Sequence, residues 1–183
     1  MFPLRKLATA VLPVGYANRA DFCEVLERNT NQLYLLAFLL TANHKQAEQC
    51  FLSTVEEAFK EKAVFKNWAL SWVKRSLIKC AIRTVEPATS ARTEKRDFWN
   101  TAEGATPGDA EIDAVTQLAP LDRFVFVMSV LERYSAWECS LLLGCNARKV
   151  ARARTRALAG LRGTGPHFPA TDTRPLLPLQ ATA

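Results

Sequence analysis

Histidine occurs only twice in the 183 residues, as His44 and His167, and glycine only seven times. No GxSxG elbow, no glycine-rich phosphate loop ending in Gly-Lys-Ser/Thr and no HExxH pair occurs, and neither histidine has a catalytic partner nearby in sequence. Nucleophilic, phosphoryl-transfer and zinc-hydrolase chemistries therefore lack their usual residues. Neither catalysis nor a cofactor is expected. The five cysteines, Cys23, Cys50, Cys80, Cys139 and Cys145, are widely spaced and form no CxxC pair, so they read as small core residues in a reducing cytosol and no metal is expected. Long apolar runs are missing too: the longest, Leu33 to Leu40, is broken by Tyr34 and is too short to cross a bilayer. The opening stretch MFPLRKLATAVLPVGYANR has a short apolar part interrupted by Pro13, which reads as the loose N-terminus of a cytoplasmic protein and not as a leader. Strand-like alternation is nearly absent.

An apolar content of 49% is enough for one sizeable core or two small ones. The formal net charge of +6 permits a polyanionic partner without requiring one. Its distribution is more informative. Residues 1–86 hold twelve basic and eight acidic side chains, 87–120 hold three and six, and 121–183 hold nine and four. Two basic lobes flank an acidic connector.

Helical periodicity recurs along the chain. Phe22, Val25, Leu26, Leu33, Leu36, Ala37 and Leu40 mark a first helix. Ala47, Cys50, Phe51, Thr54, Val55, Ala58 and Phe59 mark a second, at the spacing of an amphipathic face. A third runs from about Phe65 to Thr84, with Trp68, Trp72, Leu77 and Cys80 on one side and Arg75, Lys79 and Arg83 at successive i+4 positions on another. The pattern fails between Glu86 and Leu118, where prolines, glycines and mixed charges imply a flexible linker. Phe98 and Trp99 inside it could dock on a neighbouring surface or belong to a transient turn. After Pro120, LDRFVFVMSVLERY reads as one further helix, and the Pro/Thr-rich tail from Gly163 reads as disordered.

The stretch YSAWECSLLLGCNARKVARARTRAL carries the densest positive charge: six basic residues and no acid between Arg148 and Arg162. Ser135 and Glu138 have the spacing of a capping box. Gly144 suits a left-handed helix exit, and Asn146 suits the cap of the next helix. Two short helices joined by a glycine turn make a helix-turn-helix. On the second helix, Val150, Ala157 and Leu161 align within about 20°, while Arg148 and Arg152 point about 160° away and Lys149 and Arg156 widen the charged face. Such a helix can lie in a major groove, with Asn146 at its cap. A solvated basic helix on an ordinary bundle is the alternative. Arg154 falls about 40° from the apolar stripe and must reach outward along its stem or lie beyond the packed part.

The stretch from Leu118 to Leu161, LAPLDRFVFVMSVLERYSAWECSLLLGCNARKVARARTRALAGL, resembles domain 4 of bacterial sigma factors of the extracytoplasmic-function group. The resemblance rests on Leu121, the helix start at Arg123 to Val127, Tyr134, Ser135, Glu138, Leu142, Leu143, Gly144, Val150, Arg156 and Ala157. LYLLAFLLTANHKQAEQCFLSTVEEAF and FKNWALSWVKRSL are similar to domain 2 of the same group, through Leu39, Leu40, Thr41, Ala47, Glu48, Ala58, Phe59, Phe65 and Trp68. The resemblance implies an all-α protein with a domain 2-like three-helix bundle at 19–86, a linker at 87–117, a domain 4-like helix-turn-helix at 118–162 and a tail at 163–183. It implies core RNA polymerase and promoter DNA as partners, and leaves room for an anti-sigma factor. By similarity, Trp72, Lys74, Arg75, Lys79 and Arg83 would face the downstream promoter element and its separated strand. Trp68 is read as core. Arg148, Lys149 and Arg152 would contact the upstream element. Where the group has an acidic, amide-rich Asp-Leu-Val-Gln-Glu sequence for gripping polymerase, this chain has Gln49-Cys50-Phe51-Leu52-Ser53, which leaves Glu48, Gln49 and Glu56 as the expected polymerase-binding set. The usual glycine-acid pair after the first helix is Ala42-Asn43. A stand-alone helix-turn-helix regulator, or a helical interaction module that does not bind polymerase, remains the alternative.

Overall fold

The computed structural model describes residues 15–61, 63–87 and 107–162. The expected tail from Gly163, the first fourteen residues, and Phe98 and Trp99 lie outside the described residues. Within them the protein is all-α, with a single isolated β-bridge between Tyr16 and Phe65.

Helix α1, Arg19–Thr41, begins at a reciprocal cap: Asn18 Oδ1 accepts from the Asp21 amide at 3.0 Å, and the Asn18 amide donates to Asp21 Oδ2 at 2.7 Å. It ends at Ala42, whose φ of 53° places a residue with a Cβ in the left-handed region that favours glycine. Asn43 then caps α2, His44–Lys60, by accepting from the Gln46 amide. The third helix expected from Phe65 opens later. Lys66–Trp68 form a single 3₁₀ turn, and α3 covers Ala69–Val85. These three helices enclose a small cluster of Phe22, Leu26, Leu33, Ala58, Ala69 and Val73.

Pro107–Thr116 form a further helix, α4, inside the stretch read from sequence as linker. It opens on proline, which suits a first helical position. Ile112, Ala114 and Val115 pack it onto the core, but three apolar positions within four residues are too few to produce a visible period. Helix α5, Pro120–Phe126, does not continue to Tyr134 as its composition suggested. Val127–Leu131 widen into a π-helical turn, with the Glu132 amide donating to the Val127 carbonyl. Ser129 Oγ donates to the Val125 carbonyl at 2.7 Å and competes with the backbone there. Helix α6, Ala136–Leu143, and α7, Ala147–Arg162, follow.

The stretches expected as separate lobes, 19–86 and 118–162, meet in one larger core. Leu36, Leu40, Leu77, Ile78 and Ala81 from the first share it with Phe124, Val125, Met128, Val150 and Ala157 from the second. A charged residue closes the seam. Arg123, 3% exposed, donates from Nε to the Leu40 carbonyl at 3.0 Å and from Nη2 to Thr41 at 3.4 Å, and Nη1 reaches Thr116 and Leu118 carbonyls at 3.1 and 3.3 Å. The carbonyls at the end of α1 lack helical partners, and a cation there also meets the negative end of the helix dipole.

Candidate nucleic-acid interface

The α6–turn–α7 unit is built as its sequence suggested. Ser135 Oγ accepts from the Glu138 amide at 3.2 Å and donates to Glu138 Oε2 at 2.7 Å, while the Ser135 amide donates to the same oxygen. The bond from the Ser135 amide holds the Glu138 carboxyl below its usual range. Gly144 adopts φ 60°, and Asn146 Oδ1 accepts from the Lys149 amide at 2.8 Å, capping α7. Val150, Ala153, Ala157 and Leu161 are buried, packed against Cys139 and Leu143 of α6 in the shared core. Burial pushes the Cys139 thiol up to about 11, which keeps it protonated and apolar in behaviour.

Asn146, Arg148, Lys149 and Arg152 all stand exposed on the opposite side of α7. Arg154 is exposed as well, because Ala153 and not Arg154 takes the inward position. Arg156 differs from the others. Its guanidinium makes a paired contact with the Asp122 carboxylate, Nη2 to Oδ1 at 2.6 Å and Nε to Oδ2 at 2.9 Å, and Asp122 is only 7% exposed. The residue expected to widen the charged face ties α7 to α5 instead.

On α3 the expected stripe divides in the same way. Arg75 and Lys79 are exposed. Lys74 Nζ lies 2.8 and 3.2 Å from the two Glu132 oxygens, with only 19% of the lysine and 14% of the glutamate side chain exposed. Arg83 pairs with Glu57 of α2 at 3.2 Å, an exposed contact. Trp72 is half-buried and meets Phe22 edge-on at 5.6 Å. Trp68, read from sequence as core, is 65% exposed. It precedes the first turn of α3, where Ala69 takes the buried position, so the helical period that would carry Trp68 inward has not yet begun.

Phe65, Trp68, Trp72, Arg75 and Tyr134 line an open groove of about 680 Å³ between the start of α3 and the turn before α6. Its far wall is supplied by Arg133, held at φ 60°, and by Tyr134, whose hydroxyl burial pushes up in pKa. Neither residue was read from the sequence as part of a site, because the groove forms only when the halves come together. Glu48, Gln49 and Glu56 are exposed on α2, and Gln49 and Glu56 flank Leu52, which is 55% exposed. Leu52 completes that strip, whereas Cys50 of the same segment is buried. Among the described residues no helix is long and apolar enough to cross a membrane, and no cluster of His, Cys, Asp and Glu could hold a metal ion.

No family model matches the chain, and no curated protein matches it. Seven chains of solved structures do. One is the sigma factor RpoE from Bartonella quintana, in complex with the anti-sigma factor NepR. It is 18% identical over 79% of this chain and 96% of that chain, with a TM-score of 0.49.

Proposed function

We propose that this chain is a sigma-factor-like transcription initiation protein, acting in the cytoplasm, that binds core RNA polymerase and reads promoter DNA. One observation carries the reading: Arg148, Lys149 and Arg152 share the exposed face of a capped second helix whose opposite face is locked in the core. A helix fixed in this way can enter a major groove, where arginine pairs with guanine O6 and N7 and lysine meets phosphate. The groove at the start of α3 supports a second contact, since exposed Trp68 and half-buried Trp72 offer ring faces to unpaired bases beside Arg75. The strip of Gln49, Leu52 and Glu56, with Glu48 beside it, is the surface assigned to polymerase. An anti-sigma factor would compete for the same two faces.

Reconstitution with core polymerase tests this. Co-elution and transcription from a defined start site are expected, and Glu48→Lys with Glu56→Lys should weaken core binding while leaving binding to isolated DNA nearly intact. No core binding by the unsubstituted protein, with specific DNA binding retained, would replace this reading with a stand-alone helix-turn-helix regulator. Burial of Cys50 and exposure of Leu52 in the middle of the strip favour that second reading, because they leave the strip with one amide and few acids.

A further inference from the structure

Cys50 of α2 and Cys80 of α3 stand on facing helices, and one hydroxyl connects them. Thr84, one turn beyond Cys80, donates from Oγ1 to the Cys80 carbonyl at 3.0 Å, and the Cys50 sulfur lies 3.4 Å from the same oxygen. With its proton committed, the Thr84 hydroxyl accepts from the Cys50 thiol. Cys80 and Thr84 share a helix face at i and i+4, so a sulfur held against Thr84 also comes close enough to the Cys80 thiol to interact with it. The two sulfurs have different surroundings. Cys50 is 1% exposed and packed in the larger core, whereas Cys80 is only partly buried and has the Arg83 guanidinium beside its sulfur. Burial pushes the Cys50 thiol up to about 11, so it stays protonated at neutral pH. A partly exposed sulfur beside a guanidinium is the setting of a reactive cysteine, and a buried apolar one is the setting of an inert thiol. Cys139 and Cys145 also lie near one another, yet burial pushes both of those thiols up, which leaves that pair without a ready attacker.

We propose that Cys80 and Cys50 form an oxidation site for hydroperoxides, in which the peroxide oxidises Cys80 and Cys50 then closes a disulfide between α3 and α2. With hydrogen peroxide the steps balance. The Cys80 thiolate attacks one peroxide oxygen, the O–O bond breaks, and the departing hydroxide takes up the proton that Cys80 released; a sulfenic acid and one water result. The Cys50 sulfur then attacks the sulfenic sulfur. The S–S bond forms, hydroxide leaves, and it carries off the Cys50 proton as a second water. Two thiols have passed two electrons to the peroxide. A small thiol such as glutathione reverses the bond by exchange, so the pair can cycle in a reducing compartment. Closing the sulfurs to about 2.0 Å releases the Thr84 hydroxyl and draws that turn of α2 towards α3. Cys50 lies inside the Gln49 to Leu52 strip, so the exposed side chains on either side of it shift as well. An effect on polymerase binding rests on the function proposed above, whereas the disulfide itself does not.

The test exposes the full, reduced chain to hydrogen peroxide, blocks the remaining free thiols and identifies linked peptides by mass spectrometry. The Cys50–Cys80 link should form about tenfold faster than any link through Cys23, Cys139 or Cys145. In urea the order should reverse in favour of Cys139 and Cys145, which close the shortest loop once the fold no longer chooses. Cys50→Ala should stop at a sulfenic acid on Cys80 that a 1,3-diketone traps, and Cys80→Ala should leave Cys50 unoxidised. Arg83→Met should slow oxidation of Cys80 about threefold. First oxidation at Cys23 or Cys145, or a Cys50–Cys80 link that forms no faster in the folded chain than in urea, would overturn the pair. A sulfenic acid trapped first on Cys50 would overturn the assignment of Cys80 as the attacking thiol. Binding to core polymerase separates the chemistry from its consequence: the oxidised chain should bind about fivefold more weakly than the reduced one. Equal binding would overturn the effect on polymerase while the disulfide stands. No binding by either form would overturn the polymerase-binding function instead.

Discussion

Replacing Arg123 with methionine should cost much of the stability of the joined core, and the structure indicates how much. Methionine keeps most of the unbranched stem and its packing but removes every donor. Two of the four acceptors, the Leu40 and Thr41 carbonyls, are buried at the end of α1, and each loses a bond to a charged donor. Such a loss costs about 1–2 kcal/mol per buried carbonyl. The Thr116 and Leu118 carbonyls are only partly buried and can turn to water. Removing a guanidinium that is 3% exposed also recovers part of its desolvation cost. The net loss should be about 2–4 kcal/mol, and a melting temperature lower by roughly 5–15 °C for a chain of this length. Arg123→Lys should fall between the two, because one ammonium cannot span acceptors that the planar fork reaches together. Thermal and urea unfolding followed by circular dichroism measure both. A methionine variant melting within about 2 °C of the parent would mean that the carbonyl cage contributes little in solution, and the account of the seam would fail.

Arg148→Ala and Arg152→Ala should each cost about 1–3 kcal/mol at a selected duplex and less at random sequence, whereas Arg156→Ala should lower stability without reducing the salt slope, as titration of binding against salt would resolve. Ala42→Gly should raise stability by about 1 kcal/mol by relieving the left-handed alanine, read as a rise in the urea midpoint at unchanged slope. Glu138 is held below its ordinary carboxyl value, first of all by the Ser135 amide, so its contribution is full at neutral pH and fades as pH falls beneath that value. The melting-temperature gap between the protein and Glu138→Gln should therefore be open at pH 7 and closed at strongly acid pH. A gap independent of pH would refute the cap as its source.

What the sequence disclosed was local. Ser135, Gly144 and Asn146 act within a few residues of their own position, and their spacing stated their roles before any tertiary contact was known. The inner stripe of α7 was legible for the same reason, since Val150, Ala157 and Leu161 repeat with the period of the helix they pack. Lys74 and Arg156 looked like free cations because their partners, Glu132 and Asp122, lie 58 and 34 residues away. No period links such pairs. Arg123 was hidden more deeply: its sequence marked only a helix start, and the ending of α1 against it is what makes burial favourable. Trp68 was misplaced because its apolar character continued a pattern that the backbone had not yet begun. Helix α4 offered too few turns to outweigh its proline and glycine.

The joined core also imposes an order of events on the chain as it is made. Phe22, Leu26, Leu33, Ala58, Ala69 and Val73 are all present once the third helix has begun, so the first cluster can close early during synthesis. Leu36 and Leu40 cannot gain their full cover then, since Arg123 is added 83 residues after Leu40. At 5–20 residues per second the ribosome needs roughly 4–17 s to supply that stretch. For that interval the end of α1 presents leucines and two uncapped carbonyls to the cell. A ribosome stalled within the connector would release a chain in that state, with a sticky apolar end that chaperones would have to shield and proteases could recognise.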